Sequence, residues 1–100
     1  MFYVVLRRSG PAWNPSLPLE QQVDWSAHAT FMDRLVDSGF VVLGGPLADE
    51  QRVVLVIDAG SEGDVRARLA LDPWSGSHLV IDSVDAWTVR LDGRSAAKNA

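Results

Sequence analysis

The chain of 100 residues has the length of one domain, and 47% of its residues are hydrophobic, enough to form a substantial core. Its formal net charge is -4, and Arg7 with Arg8 is its only basic pair, which argues against a nucleic-acid-binding surface. There is no cysteine, so disulfides and thiolate chemistry are excluded.

The N-terminal residues lack the basic start and long apolar stretch of a signal peptide. No apolar run approaches the roughly 18 residues that a membrane span requires. We therefore expect a soluble, cytoplasmic protein that does not contact membranes.

The first predicted strand covers residues 2–8 and is apolar on both faces, which is typical of a strand covered on both sides. A loop with three prolines follows over residues 9–18. Trp13 in this loop either covers a pocket or, in the interpretation we favour, fills a gap on the core.

A helix is predicted over residues 19–38, with Gly39 as its left-handed stop. His28 lies in the middle of this helix, and the residues on its face are Asp24, Phe31, Met32 and Leu35. Because three of these four neighbours are apolar, we expect the imidazole to point toward the core.

The second and third strands are predicted over residues 40–43 and 52–58, close enough in sequence to form a hairpin. Between them, Gly44, Gly45 and Pro46 predict a tight turn that ends the second strand. Two glycines also allow a ligand to approach the backbone N–H groups, so this turn has both a structural and an anion-binding interpretation.

A second helix is predicted over residues 61–71, ended by an Asp-Pro pair. The fourth strand is predicted over residues 78–91 and begins at His78, which we expect to be exposed. Ser83 and Asp85 interrupt its alternation of apolar residues and indicate a bulge near them.

The order β-α-β-β-α-β predicts a ferredoxin-like α+β domain over residues 1–91, followed by a flexible tail over residues 92–100. Right-handed crossovers place both helices on one face of a four-stranded antiparallel sheet. The other face would expose the apolar residues of the first and third strands. We therefore expect a homodimer in which two sheets pack face to face.

An inward-facing histidine needs a hydrogen-bond partner, and Asp24, Asp72, Asp82 and Asp85 are all candidates. In a His-Asp pair the carboxylate orients the imidazole and raises its basicity, which suits proton transfer. The competing interpretation is a core histidine with a purely structural hydrogen bond. Two distant histidines and no cysteine make a poor metal-ligand set, so no metal is expected.

Three segments of the chain together resemble the YCII-related family. They are H-A-T-F-M-D-R-L-V-D-S-G in the first helix, G-G-P-L at residues 44–47 and D-P-W at residues 72–74. The resemblance extends from residue 2 to about residue 89 and implies the dimeric α/β-barrel form of the ferredoxin-like fold. In the family, the helix histidine and the aspartate of the D-P motif form the proposed active-site pair, here His28 and Asp72. The chain departs from the family at Trp25, where members often have arginine, and at Trp74, where they usually have tyrosine or phenylalanine.

One family member is a dehydrochlorinase that acts on a chlorinated hydroxyquinol, so the resemblance implies proton-transfer or elimination chemistry. The resulting hypothesis is a small lyase or isomerase that needs no cofactor and acts on a small organic molecule, with His28 as general acid or base and Asp72 as its orienting group. The predicted ligand-binding residues are Gly44, Gly45, Pro46, Phe31 and Trp74. The alternative is a dimeric module that binds a small molecule without turnover or has a structural role.

Overall fold

The computed structural model describes residues 1–94, and its strands and helices follow the predicted order. The strands are β1 (Phe2–Arg7), β2 (Val41–Pro46), β3 (Arg52–Ile57) and β4 (Val80–Ala86), and the helices are α1 (Trp25–Asp37) and α2 (Glu62–Leu69). From residue 95 on, the predicted flexible tail lies outside the described residues. None of the helices described is both long and apolar enough to cross a membrane.

The four strands form one sheet in the order β2-β3-β1-β4, and every neighbouring pair is antiparallel. The two central strands are therefore β1 and β3, the strands whose residues are apolar on both faces. This topology confirms the predicted ferredoxin-like fold.

Both helices pack on one face of the sheet. This face contributes Val4 and Leu6 from β1 and Leu55 and Ile57 from β3, all of them buried. The helices bury Leu35, Val65 and Leu69 in the same cluster. Because strand side chains alternate between faces, these residues define the helix-covered face of the sheet.

The opposite face of the sheet carries apolar side chains that residues 1–94 do not cover. Val54 and Val56 of β3 are half-buried there, and Tyr3, Leu43 and Trp87 are exposed. The rings of Tyr3 and Trp87 meet edge to face, with centroids 5.9 Å apart. The doubly apolar pattern of the central strands thus leaves one apolar face that residues 1–94 do not cover, as the sequence predicted.

The prediction of one helix over residues 19–38 is wrong for the first part of that range. A 3₁₀ turn is followed by Asp24 in the left-handed conformation (φ 62°), and α1 begins only after it. Buried Gln22 explains the interruption, because its amide nitrogen donates to the Asn14 carbonyl (2.6 Å) and its oxygen accepts from the Asn14 N–H (3.0 Å). These bonds tie the chain to the proline-rich loop in place of a continuing helix.

The prediction of a tight turn at residues 44–46 is also wrong, because these residues belong to β2. Gly45 pairs with Val54 and Pro46 pairs with Val53. Proline is tolerated here because β2 is an edge strand and one side of its backbone has no ladder partner.

The fourth strand is shorter than the predicted residues 78–91. Its register with β1 shifts between Ile81 and Ser83, so Asp82 is the extra residue of a β-bulge, close to the predicted position. The strand ends at Ala86, and the Trp87 N–H just beyond it donates to the Met1 carbonyl (2.8 Å).

Gly10 allows the proline-rich loop to lie directly against the segment before β4. Its N–H donates to the His78 carbonyl (3.1 Å), and the Ala12 N–H donates to the Ser77 carbonyl (2.7 Å). A Cβ at Gly10 would collide with the carbonyl group of Ser77, which is backbone and cannot rotate away. This close backbone contact holds Trp13 against the rings of Trp74 and His78, which are described below.

We expect Gly10→Ala to lower the free energy of unfolding by about 1–3 kcal/mol, because two backbone segments must separate. The matched control is Gly45→Ala, whose Cβ would meet no atom within 4 Å. Urea denaturation followed by tryptophan fluorescence measures both. Equal stability of the two variants would contradict the close contact.

Candidate active site

A cavity of about 520 Å³ lies between α1 and the helix-covered face of the sheet. Its walls are mainly aliphatic and aromatic, with Leu6 and Leu55 on the sheet side and Met32 on the helix side. Its ionisable lining residues are Arg8, His28 and Asp72. A cavity of this size with a few polar groups is typical of small-molecule sites.

His28 and Asp72 are in direct contact at the wall of this cavity. His28 Nδ1 lies 2.8 Å from Asp72 Oδ2 and 2.9 Å from Oδ1. The side chains are 12% and 6% exposed. An ionised carboxylate can only accept, so Nδ1 carries the proton and donates it. Nε2, which receives no hydrogen bond from residues 1–94, is the nitrogen left for a ligand.

The segment after α2 places the Asp72 carboxylate. The Asp72 N–H donates to the Leu69 carbonyl (3.1 Å), which closes the last turn beyond the helix. Pro73 then prevents the helix from continuing. Asp72 Oδ1 accepts from the Trp74 N–H (2.9 Å), so the side chain caps its own turn and is held toward His28.

The other three candidate acids lie away from the imidazole. Asp24 is exposed at the start of α1, and its backbone carbonyl accepts from the His28 N–H (3.0 Å). Asp82 forms an ion pair with Arg7. Asp85 is exposed and pairs across the sheet with a residue of the open face. The geometry thus selects Asp72 from the four acids.

Trp74 fixes the plane of the His28 ring. The two rings are stacked with centroids 4.1 Å apart and planes 7° apart. Trp74 is 1% exposed, and its indole N–H donates to the Val23 carbonyl (2.7 Å). The stacked indole therefore fixes the orientation of the His28 ring.

His78 lies on the opposite face of Trp74 and is buried, so the expectation that it is exposed was wrong. The centroids of His78 and Trp74 are 4.7 Å apart, and His78 is 2% exposed. Its Nδ1 lies 3.0 Å from Ser77 Oγ, while Nε2 has no hydrogen-bond partner among the residues described. Trp13 covers it edge-on, with a centroid distance of 6.3 Å. No local pattern could reveal this, because the cover comes from a loop more than 60 residues away.

The predicted ligand-binding residues divide into two groups. Gly44, Gly45 and Trp74 line the cavity. Phe31 packs against the core and Pro46 ends β2, and neither belongs to the cavity lining. The geometry therefore brings three of the five to the cavity.

Trp25 and Arg8 also line the cavity, although neither was among the ligand-binding residues predicted from the sequence. Trp25 begins α1 and lies 5.9 Å from His28 between ring centroids. Arg8 follows β1 and lines the cavity from the sheet side. The available signal for Arg8 was a basic residue directly after an apolar strand.

Within residues 1–94, no three histidine, cysteine, aspartate or glutamate side chains come together in the way that a metal site requires. The ionisable groups that line the cavity are the imidazole of His28, the carboxylate of Asp72 and the guanidinium of Arg8.

No protein-family model matches the sequence. No curated protein matches it either. Among solved structures, the chain is similar to the 5-chloro-2-hydroxyhydroquinone dehydrochlorinase of Burkholderia phenoliruptrix in complex with 2,5-dihydroxybenzoquinone. The sequences are 21% identical, the TM-score is 0.61, and the match covers 88% of this chain and 94% of the dehydrochlorinase.

At this level of identity the likeness establishes the fold. The chain has the ferredoxin-like α+β fold, with four antiparallel strands and two helices. The fold expected from the sequence is thus confirmed.

The stacking around Trp74 can be tested with Trp74→Phe, which keeps a ring but removes the N–H that bonds Val23. We expect the free energy of unfolding to fall by about 2 kcal/mol, from the lost hydrogen bond and the smaller buried ring. The NMR signals of both histidine rings should also move, because both rings stack on this side chain.

The control is Trp87→Phe, because Trp87 is partly exposed on the open sheet face and its ring contacts Tyr3. It should leave the histidine signals unchanged. The chain contains two histidines, so the assignment is simple. Unchanged histidine signals in Trp74→Phe would contradict the stacked arrangement.

Proposed function

We propose that the chain is a YCII-related enzyme that transfers a proton on a small organic molecule without a cofactor, as a lyase or isomerase. The observation that carries this proposal is the 2.8 Å contact between His28 Nδ1 and Asp72 at the wall of an apolar cavity. The contact leaves Nε2 of His28 as the basic atom for a substrate.

In the proposed reaction, His28 Nε2 takes a proton from a carbon of the substrate. In an elimination, the electron pair of the broken C–H bond forms the new double bond, and the leaving group departs with its own bonding pair. In an isomerisation, the same imidazolium returns the proton to another carbon. In both cases the imidazolium is held between the Asp72 carboxylate and the Trp74 ring, which lowers the cost of the positive charge.

The dehydrochlorinase with the same fold supports a monocyclic substrate. It is named for the loss of chloride from a hydroxylated ring, and it was solved with a ring-shaped ligand. A cavity of about 520 Å³ accommodates a molecule of this size. Elimination on a hydroxylated six-membered ring is accordingly the reaction we propose to test first.

We also propose that the active form is a homodimer built on the open sheet face. Val54 and Val56 are half-buried on that face, and exposed Tyr3, Leu43 and Trp87 extend it. A contiguous apolar surface of this kind is stabilised by a second copy related by a two-fold axis. The cytoplasmic location stays a prediction from the sequence.

The catalytic proposal is tested with 5-chloro-2-hydroxyhydroquinone by measuring chloride release, followed by related halogenated and hydroxylated monocyclic aromatics. For any substrate that is turned over, His28→Ala should lower kcat by at least about a hundredfold, because the general base is lost. Circular dichroism should show that the variant remains folded.

Asp72→Asn should also lower kcat while the ligand still binds. An amide in place of the carboxylate can donate to Nδ1 and so favours the tautomer with the proton on Nε2, the wrong atom for a base. Asp82→Asn is the matched control, because Asp82 pairs with Arg7 and not with the histidine. If the tested compounds bind to the wild-type protein and none is turned over, the alternative function, a ligand-binding module, is favoured. If His28→Ala unfolds and no ligand stabilises it, the role of His28 is structural and the catalytic proposal is refuted.

The dimer is tested by Val54→Lys and Val56→Lys, each of which places a charge on the open face. Light scattering should show a shift from dimer to monomer, or unfolding, because a buried charge in the interface has no partner. The control is Val23→Lys, since Val23 is 67% exposed and precedes α1, away from the sheet. A folded wild-type monomer at micromolar concentration would contradict the proposal.

A further inference from the structure

Arg8 differs from the arginine next to it in the sequence. Arg7 points to the open face of the sheet and forms an ion pair with Asp82. Arg8 follows β1, is half-buried and lines the cavity together with His28 and Asp72. The two adjacent cations therefore face different environments.

Backbone and aromatic contacts hold the Arg8 guanidinium. Its Nη1 donates to the Glu50 carbonyl (2.8 Å), and its central carbon lies 5.4 Å from the centroid of the Trp13 ring. Its backbone N–H donates to the Gln51 carbonyl (2.9 Å). None of these contacts supplies a negative charge, and no carboxylate of residues 1–94 forms an ion pair with Arg8.

The carboxylate of the cavity lining is therefore not a partner of Arg8. The Asp72 carboxylate is already bonded to His28 and to the Trp74 N–H. Arg8 has five N–H donors, and the Glu50 carbonyl uses one. A guanidinium beside an apolar cavity gains most from a planar anionic group that accepts two of its N–H bonds.

We propose that Arg8 makes the cavity selective for small monocyclic molecules that carry an anionic oxygen, a carboxylate or a phenolate. Arg8 binds this oxygen from the sheet side, and His28 reaches the reacting proton from α1. Arg8 is thus the residue that determines specificity for charge. This inference rests on the proposed function in one respect, because it takes the cavity as the substrate site.

Benzoate and benzamide test the proposal, since they share size and shape and differ in charge. Their dissociation constants are measured by NMR from the shifts of backbone amides around the cavity. Wild-type protein should bind benzoate about tenfold more tightly than benzamide, as expected for a charge-assisted hydrogen bond. Arg8→Gln should remove this preference by weakening benzoate binding, with benzamide binding unchanged.

The matched control is Arg7→Gln, which removes the same charge from the adjacent residue on the other face. This variant should keep the preference for benzoate over benzamide. If Arg7→Gln also lost the preference, the preference would come from net charge, and the proposal would be overturned. Equal wild-type affinity for the two ligands, absence of benzoate binding, or a parallel loss of both ligands in Arg8→Gln would also overturn it. If Arg8→Gln does not fold, salt titration of the wild type decides, because only benzoate binding should weaken as salt rises.

This binding experiment and the turnover experiment can fail separately. A folded His28→Ala variant that retains turnover would refute the catalytic role of His28 and leave the charge preference of Arg8 in place. A lack of charge preference would refute the role of Arg8 and leave the His28 proposal in place.

Discussion

The Asp72 carboxylate is the group on which the geometry of the site depends. It accepts from the Trp74 N–H and from His28 Nδ1, so one side chain joins the turn after α2 to the first turn of α1. Because an ionised carboxylate only accepts, it also sets the His28 tautomer. The carboxylate has little freedom to turn away, since Pro73 ends the helix and the turn behind it is closed by backbone hydrogen bonds.

The stacked rings of His28, Trp74 and His78 connect the Asp72–His28 pair to the core. Trp74 lies between two imidazoles, and its indole N–H reaches the backbone just before α1. The proline-rich loop, held by Gly10 and by the buried amide of Gln22, closes the far side of the stack with Trp13. The ring of His28 is therefore held by Asp72 and Trp74. Trp74 is held in turn by the Val23 carbonyl and covered by Trp13. Such a supported ring is the arrangement that proton transfer requires, because it needs no reorganisation when charge develops.

Much of the fold of this protein could be predicted from local patterns of apolar residues in the sequence. The period of the apolar residues predicted the order of strands and helices, and the doubly apolar central strands predicted an open apolar face. The predictions that failed concern segments in which a tertiary contact overrode the local conformational preference. Gln22 bonded the loop and interrupted the first helix, and edge pairing drew Gly45 and Pro46 into β2 instead of a turn. Propensity is a weak guide wherever tertiary hydrogen bonds compete with it.

By itself the sequence determined the fold class and the inward direction of His28, because both follow from periodicity within a single strand or helix. The resemblance of short motifs favoured Asp72, but residue patterns alone left four acids open. Only the tertiary structure decided that pairing, the burial of His78 and the placement of Arg8 at the cavity. The physical reason is distance along the chain. These contacts join residues dozens of positions apart, and their geometry depends on how helices and loops pack on the sheet, which no local period encodes.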